Sequence, residues 1–175
     1  CKKSDYRRSN YIMDTVSVTQ RSWNMSRIRS RDTRPELIVR SFLFNNGLRY
    51  RCNVKTLPGK PDIAVSKYRL ALNIHGCFWH GHSDCPKFRL PKTNQYYWKK
   101  KIERNCDRDE KVRRDMALLD FDYFEIWECE IKRSEFDKLR NFIGLYNSRR
   151  DAFLNNIPSG TIIAALPFGV KCSLM

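Results

Sequence analysis

Residues 57–85 read LPGKPDIAVSKYRLALNIHGCFWHGHSDC, and this stretch decides how the chain is organised. Pro58-Gly59 marks a turn, Ile63 to Val65 and residues 70–74 are short apolar runs, and Ser66-Lys67 lies between them. Runs of that length bounded by turn residues predict two strands joined as a hairpin. Asp62 then begins one strand and His75 ends its antiparallel partner, which places the two side chains together at one sheet edge. Residues 76–91 carry His, Cys, Gly and Pro with no periodicity, so they form a loop that needs another source of rigidity.

Working outward toward the N-terminus, residues 48–54 read as a strand, and Asp32 or Thr33 caps a preceding helix with Pro35 in its first turn. Leu37, Ile38, Phe42 and Leu43 are its expected apolar face, and Gly47 ends it. RSWNMSRIRSR, residues 21–31, is a short basic helix, whereas residues 1–20 are polar and unpatterned and are expected to be a disordered segment. Toward the C-terminus, residues 94–119 form a long helix in which Trp98, Ile102, Cys106, Val112, Met116 and Leu119 recur as one buried stripe. FDYFEIWEC, residues 121–129, is dense in aromatics and reads as a central strand, and residues 135–149 as a closing helix. One α/β domain over residues 21–150 is therefore expected, followed by a tail over 151–175.

Hydrophobic residues make up 41% of the chain and charged residues 30%, the composition of a packed globular protein. The tail run over residues 155–170 is broken by Pro158, Gly160, Pro167 and Gly169, so no segment is suited to cross a bilayer. The opening CKKSDYRRSNYI lacks the apolar core of an export signal, and a reducing cytoplasm with free thiols is the expected setting. With 34 Lys and Arg against 19 Asp and Glu, the net charge of +15 favours a polyanionic partner, nucleic acid before a membrane surface.

All three histidines of the chain, His75, His80 and His82, fall in one short window with Cys77, and Cys85 follows. Cys77, His82 and Cys85 have a spacing suited to tetrahedral zinc, and Cys129 is the candidate fourth ligand. Such a closed site leaves no position for water, so the zinc is structural and the chemistry lies elsewhere. Asp62 with His75 and His80 supplies it. A hard carboxylate oxygen suits Mg²⁺, and imidazoles move protons near neutral pH, a combination that fits phosphodiester hydrolysis.

The blocks RSRDTRPE, LPGKPDI, HGCFWHGHSDC, YYWKKKIERNCDRD and IWEC, in this order over about residues 21–133, resemble the very-short-patch-repair (Vsr) endonuclease family. The resemblance implies a restriction-endonuclease-like α/β core, a central mixed sheet flanked by helices, and nicking 5′ of the thymine in a T:G mispair left by deamination of 5-methylcytosine. It implies that Asp62, with the backbone carbonyl of Ile74, binds catalytic Mg²⁺, although relatives often carry a small or hydroxyl residue where Ile74 stands. It further implies that His75 and His80 assist attack and departure at the phosphate, with Glu36 nearby, and that Cys77, His82, Cys85 and Cys129 hold structural Zn²⁺. Phe78, Trp79 and Trp98 match aromatics that wedge beside the mismatch, Met25 a residue entering from the opposite groove, and Lys101 and Asn105 contacts to the mispaired bases. The implied partners are duplex DNA, a cytosine-5 DNA methyltransferase that creates the substrate, and a mismatch-repair helper protein. A monomer is expected, since a single nick needs one site.

Two other readings stay open from the residues. A zinc-stabilised DNA-binding module without catalysis predicts no cleavage under any metal condition, and a restriction-type nuclease of the same fold predicts double-strand cuts at paired sites.

Overall fold

The computed structural model describes residues 17–27, 31–83, 85–86 and 88–156. In chain order the elements are α1 (Val18–Ser26), α2 (Arg34–Asn45), β1 (Arg51–Cys52), β2 (Ile63–Val65), a 3-10 turn (Ser66–Tyr68), β3 (Leu70–His75), α3 (Gln95–Leu118), β4 (Asp122–Trp127), α4 (Glu128–Lys132) and α5 (Asp137–Asn155). The strands form one mixed sheet in the order β1-β2-β3-β4; the first two pairings are antiparallel and the last, across the α3 connection, is parallel.

Because side chains alternate along a strand, the sheet has two unlike faces. Leu70 and Leu72 of β3 meet Ile63, Val65 and Ile126 in a core completed by Val39 and Leu43 of α2 and Leu139 and Phe142 of α5. On the other face Ala71 and Tyr123 pack against Val112 and Met116 of α3. Helices thus cover both sides, and the second face continues along β3 and β4 to Asn73, His75, Glu125 and Trp127, whose register pairs are Asn73 with Glu125 and His75 with Trp127.

The predicted hairpin is present, turning through Ser66 to Tyr68, with Arg69 in the left-handed region at φ 49°. Four expectations need correction. In α2 the buried residues are Glu36, Val39, Arg40 and Leu43, whereas Leu37 and Ile38 are 47% and 38% exposed. The inward stripe carries an ion pair between Arg40 and Glu36 at 2.9 Å, so following only apolar residues turns the helix by about 100° per residue of error. The strand predicted over 48–54 is only β1, ended by Asn53 at φ 51°. In α3 the stripe holds at Trp98, Ile102, Val112 and Met116, but Cys106 is only half-buried and Leu119, beyond the last turn, is 44% exposed. Finally, β4 is the sheet's outer strand among the described residues and pairs only with β3. Its aromatic density reflects helices on both faces, since Phe124 packs on Phe142 of α5 and Tyr123 on the α3 side.

Helix α1 begins at Val18 and α5 continues to Asn155, so regular structure crosses both boundaries drawn from sequence. Arg149 anchors α5 to the hairpin turn through the Tyr68 carbonyl at 2.6 Å and through Asp122.

Gly59 in the PGK turn has φ +67°, and a Cβ there would lie 2.6 Å from Val112 Cγ2. Both conformation and space exclude a side chain, so Gly59→Ala is expected to destabilise the fold by roughly 1–3 kcal/mol, measured as a lower denaturation midpoint.

Candidate active site and metal centre

At the end of the hairpin the β2–β3 ladder runs out at Ile63 and Leu72, and side chains continue its bonding. The Asp62 amide donates to Asn73 Oδ1 at 3.2 Å, and the Ile74 amide donates to Asp62 Oδ2 at 2.8 Å. Asp62 is thereby fastened beside the residue preceding His75, as the sequence predicts. Burial raises the Asp62 pKa to about 6; the Ile74 amide opposes this and the negative charge of Glu36 adds to it, while Arg40 and His80 pull the other way.

Glu36 is itself buried and fully engaged. Its carboxylate accepts bonds from the Thr33 hydroxyl at 2.8 Å, the Asp32 amide at 3.1 Å and Arg40 Nη2 at 2.9 Å. It reaches Asp62 through its charge and otherwise secures the start of α2.

His75, 2% exposed, closes β3. Its ring lies against that of His80, with centroids 4.1 Å apart, and meets the Trp127 ring edge-on at 5.2 Å. Burial lowers the His75 pKa to about 3, helped by the neighbouring His80, so this imidazole is neutral at neutral pH. His80 hangs from a tight turn in which its amide donates to the Gly76 carbonyl at 3.2 Å. Its Nδ1 lies 2.5 Å from Asp109 Oδ2. Burial acts to raise the Asp109 pKa, but the hydrogen bond and charge of His80 outweigh it and hold the carboxyl below its usual range.

Asp109 is the residue that sequence reasoning missed. It is 6% exposed on α3, in step with the buried positions 98, 102, 112 and 116. An acidic residue in register with an apolar stripe was the available signal, because Asp is almost never buried without a partner. Ligand-type atoms of His75, His80 and Asp109 all lie within 4.8 Å of one another. They line a cleft of about 400 Å³ that also includes Glu110 and Trp127. Asp62 does not line this cleft; it reaches the imidazoles through Ile74 and the sheet end.

The second constellation sits on the same loop. One ligand atom from each of Cys77, His82, Cys85 and Cys129 lies within 4.8 Å of the others, with Cys129 Sγ 3.4 Å from His82 Nδ1. Zinc bonded to sulfur and nitrogen at about 2.0–2.3 Å sets its ligand atoms roughly 3.5–3.8 Å apart, so the set has the right chemistry and span for the ion. The loop is pre-shaped: the His82 amide donates to the Cys77 carbonyl at 3.0 Å and the Cys85 amide to the His82 carbonyl at 3.1 Å. Trp127 stacks on the His82 ring at 4.1 Å and 9°. Burial pushes the Cys77 thiol up to about 12, a strained condition for a thiolate that a bound cation relieves.

Phe78, Trp79 and Trp98 form one edge-to-face group with centroid separations of 5.1, 5.4 and 5.9 Å. Trp98 is 7% exposed, whereas Phe78 and Trp79 are half-buried. Asn105 Nδ2 donates to the Trp79 carbonyl at 2.7 Å, so its amide fastens the loop to α3, while Lys101 is exposed. Met25 falls in α1, with its side chain outside the described residues.

A family profile described as DNA mismatch endonuclease Vsr matches residues 13–87. The chain is 47% identical over 121 residues to the type II nicking enzyme V.NmeAIP of Neisseria meningitidis serogroup A, covering 69% of this chain and 86% of that protein. It is 43% identical over 120 residues to the type II nicking enzyme V.XorIIP of Xanthomonas oryzae pv. oryzae, covering 69% and 88%. It is 38% identical over 124 residues to the DNA mismatch endonuclease Vsr of Escherichia coli, covering 71% and 79%.

Proposed function

Since this chain belongs to the Vsr family of DNA mismatch endonucleases and is a mismatch-directed nicking enzyme, we propose that it cuts 5′ of the thymine of a T:G mispair by Mg²⁺-dependent phosphodiester hydrolysis. The observation that carries this reading is the unbroken series Asp62, Ile74, His75, His80, Asp109: each is bonded to, adjacent to or in ring contact with the next.

Asp62 Oδ1 and the Ile74 carbonyl are the oxygens that would hold Mg²⁺, a hard cation that suits a carboxylate bearing a burial-raised pKa. When bound, the ion offsets charge on the phosphoryl group under attack. Asp109 orients His80 through Nδ1, which leaves Nε2 to receive a proton from water, and the carboxylate stabilises the resulting positive charge. His75, kept neutral by burial, has no extra proton for the departing oxygen and fits a hydrogen-bond acceptor for water at the phosphate, the departing oxygen taking its proton from solvent.

Zn²⁺ held by Cys77, His82, Cys85 and Cys129 would have four protein ligands and serve structure alone, fixing the loop that carries Phe78, Trp79 and His80 to the end of β4. The half-buried Phe78 and Trp79 support a wedge role, since a mispair costs only a few kcal/mol to unstack and an aromatic face offsets it, and the buried Trp98 assigned with them packs behind both rings. Lys101, exposed on α3, fits a contact to the DNA, as does the remaining amide oxygen of Asn105; Met25 is assigned to the opposite groove. The fold with Asp62 at the mouth of a hairpin supports a restriction-endonuclease-like core over about residues 21–150. A cytosine-5 methyltransferase would generate the substrate, a mismatch-repair helper would act with the enzyme, and a monomer suffices for one nick.

The test uses end-labelled duplexes, matched and T:G-mispaired in several sequence contexts, incubated with the protein and Mg²⁺. A single nick beside the mispaired thymine is expected. Cuts in both strands of matched duplexes, or no cleavage in any context with any divalent ion, would overturn the reading.

A further inference from the structure

We propose that Glu125 is a positioning residue for His75, its carboxylate deciding which ring nitrogen carries the proton; the catalytic consequence rests on the role given to His75 above. Glu125 Oε1 lies 3.6 Å from His75 Nε2, and both atoms are buried with no hydrogen-bond partner among the described residues. The parallel register explains why they meet: Asn73 pairs with Glu125 and His75 with Trp127, so Glu125 shares the face of His75 one step back along the neighbouring strand.

The other carboxylate oxygen is already committed. Arg113 Nε donates to Glu125 Oε2 at 3.0 Å, and Arg113 also pairs with Glu110. Arg113 lies one helical turn beyond Asp109, so α3 sends Asp109 to His80 and Arg113 to the group behind His75. The geometry leaves Oε1 as an acceptor facing Nε2. Oε1 can accept only from an N–H, and a bare Nε2 lone pair placed against this oxygen would be repulsive, so of the two tautomers this placement favours the one with the proton on Nε2 and the lone pair on Nδ1. Catalytic hydrogen bonds are often long before substrate binds, and a movement of a few tenths of an ångström would close this one.

The arrangement mirrors that of His80. There a carboxylate backs Nδ1 and leaves Nε2 to work; at His75 a carboxylate backs Nε2 and leaves Nδ1. Two rings 4.1 Å apart and tilted by 34° thus present opposite nitrogens, each as a lone-pair acceptor.

Glu125→Gln tests this directly, because the amide can keep its oxygen toward Arg113 and turn its NH₂ toward His75, which favours the Nδ1–H tautomer. In long-range ¹H–¹⁵N spectra of the intact protein, His75 is expected as the Nε2–H tautomer in the wild type and shifted toward Nδ1–H in Glu125→Gln. For T:G duplex nicking, kcat should fall on the order of 10- to 100-fold with KM changed less than about twofold. Glu125→Asp, which retains a carboxylate, should keep the wild-type tautomer. A wild-type His75 already protonated at Nδ1, or a folded Glu125→Gln protein with unchanged tautomer and kcat, would overturn the proposal; should Glu125→Gln fail to fold, the wild-type and Glu125→Asp spectra decide it. Loss of nicking by the wild type itself would instead strike the functional reading, leaving the tautomer result to stand by itself.

Discussion

Asp62→Asn is expected to cut nicking by a factor on the order of a thousand while making the Mg²⁺-free protein more stable. The loss of activity follows from removing the anionic oxygen proposed to hold the cation. The gain follows from the carboxyl's surroundings, where burial outweighs the Ile74 amide and raises the pKa to about 6 from an ordinary 3.8. A raised carboxyl pKa means that the fold favours the protonated form. Below about pH 4 the group is protonated in both folded and unfolded chains and costs nothing; as pH rises toward 6 only the unfolded chain ionises freely, and the penalty grows to roughly 3 kcal/mol and stays there. Asparagine is the neutral counterpart and can still accept from the Ile74 amide. Thermal denaturation in zinc-containing buffer should therefore show Asp62→Asn melting several degrees above the wild type at pH 7 and level with it near pH 4. Equal or lower stability at pH 7 would contradict the assigned burial cost, and retained nicking would remove Asp62 from the metal site.

The second large effect concerns the four-ligand cluster. The purified protein is expected to contain one zinc per chain by elemental analysis, and Cys129→Ser to lose it. Structural zinc sites contribute apparent binding energies of about 10–16 kcal/mol, so release of the ion should collapse the loop and lower the melting temperature by more than ten degrees. The loop carries His80, and Cys129 follows directly on β4, so nicking should vanish with the metal and return when Zn²⁺ is restored to the chelated wild type. A wild type without zinc, or a Cys129→Ser variant that melts and nicks normally, would refute the assignment.

Residues whose positions depend on local order were legible from sequence. The placing of Asp62 beside Ile74, the residue before His75, needed only a hairpin of known turn, and the clustering of Cys77, His82 and Cys85 needed only spacing, with Cys129 offered by its place at the end of the aromatic strand. Readings that require knowing what covers an element failed. The inward face of α2 could not be found from Leu37 and Ile38, because an Arg40–Glu36 pair satisfies itself there and takes the buried stripe. β4 looked central because aromatics fill both of its faces, yet a strand between two helical layers is enclosed wherever it stands in the sheet. Asp109 went unnoticed because its partner, His80, is 29 residues away, and only tertiary structure shows why a charge interrupts the α3 stripe.

The alternation of side chains on β3 and β4 has a practical outcome for anyone wishing to engineer this enzyme. His75 and Glu125 lie with Asp109 of α3 on one side of the sheet, whereas Leu70, Leu72 and Ile126 knit α2 and α5 to the other. Robustness and turnover are thus written in largely separate sets of codons: libraries on the α2–α5 side that leave Glu36 and Arg40 fixed, since their charges act on Asp62, can be screened for heat resistance, and selections for new mismatch preference can draw on the margin so gained.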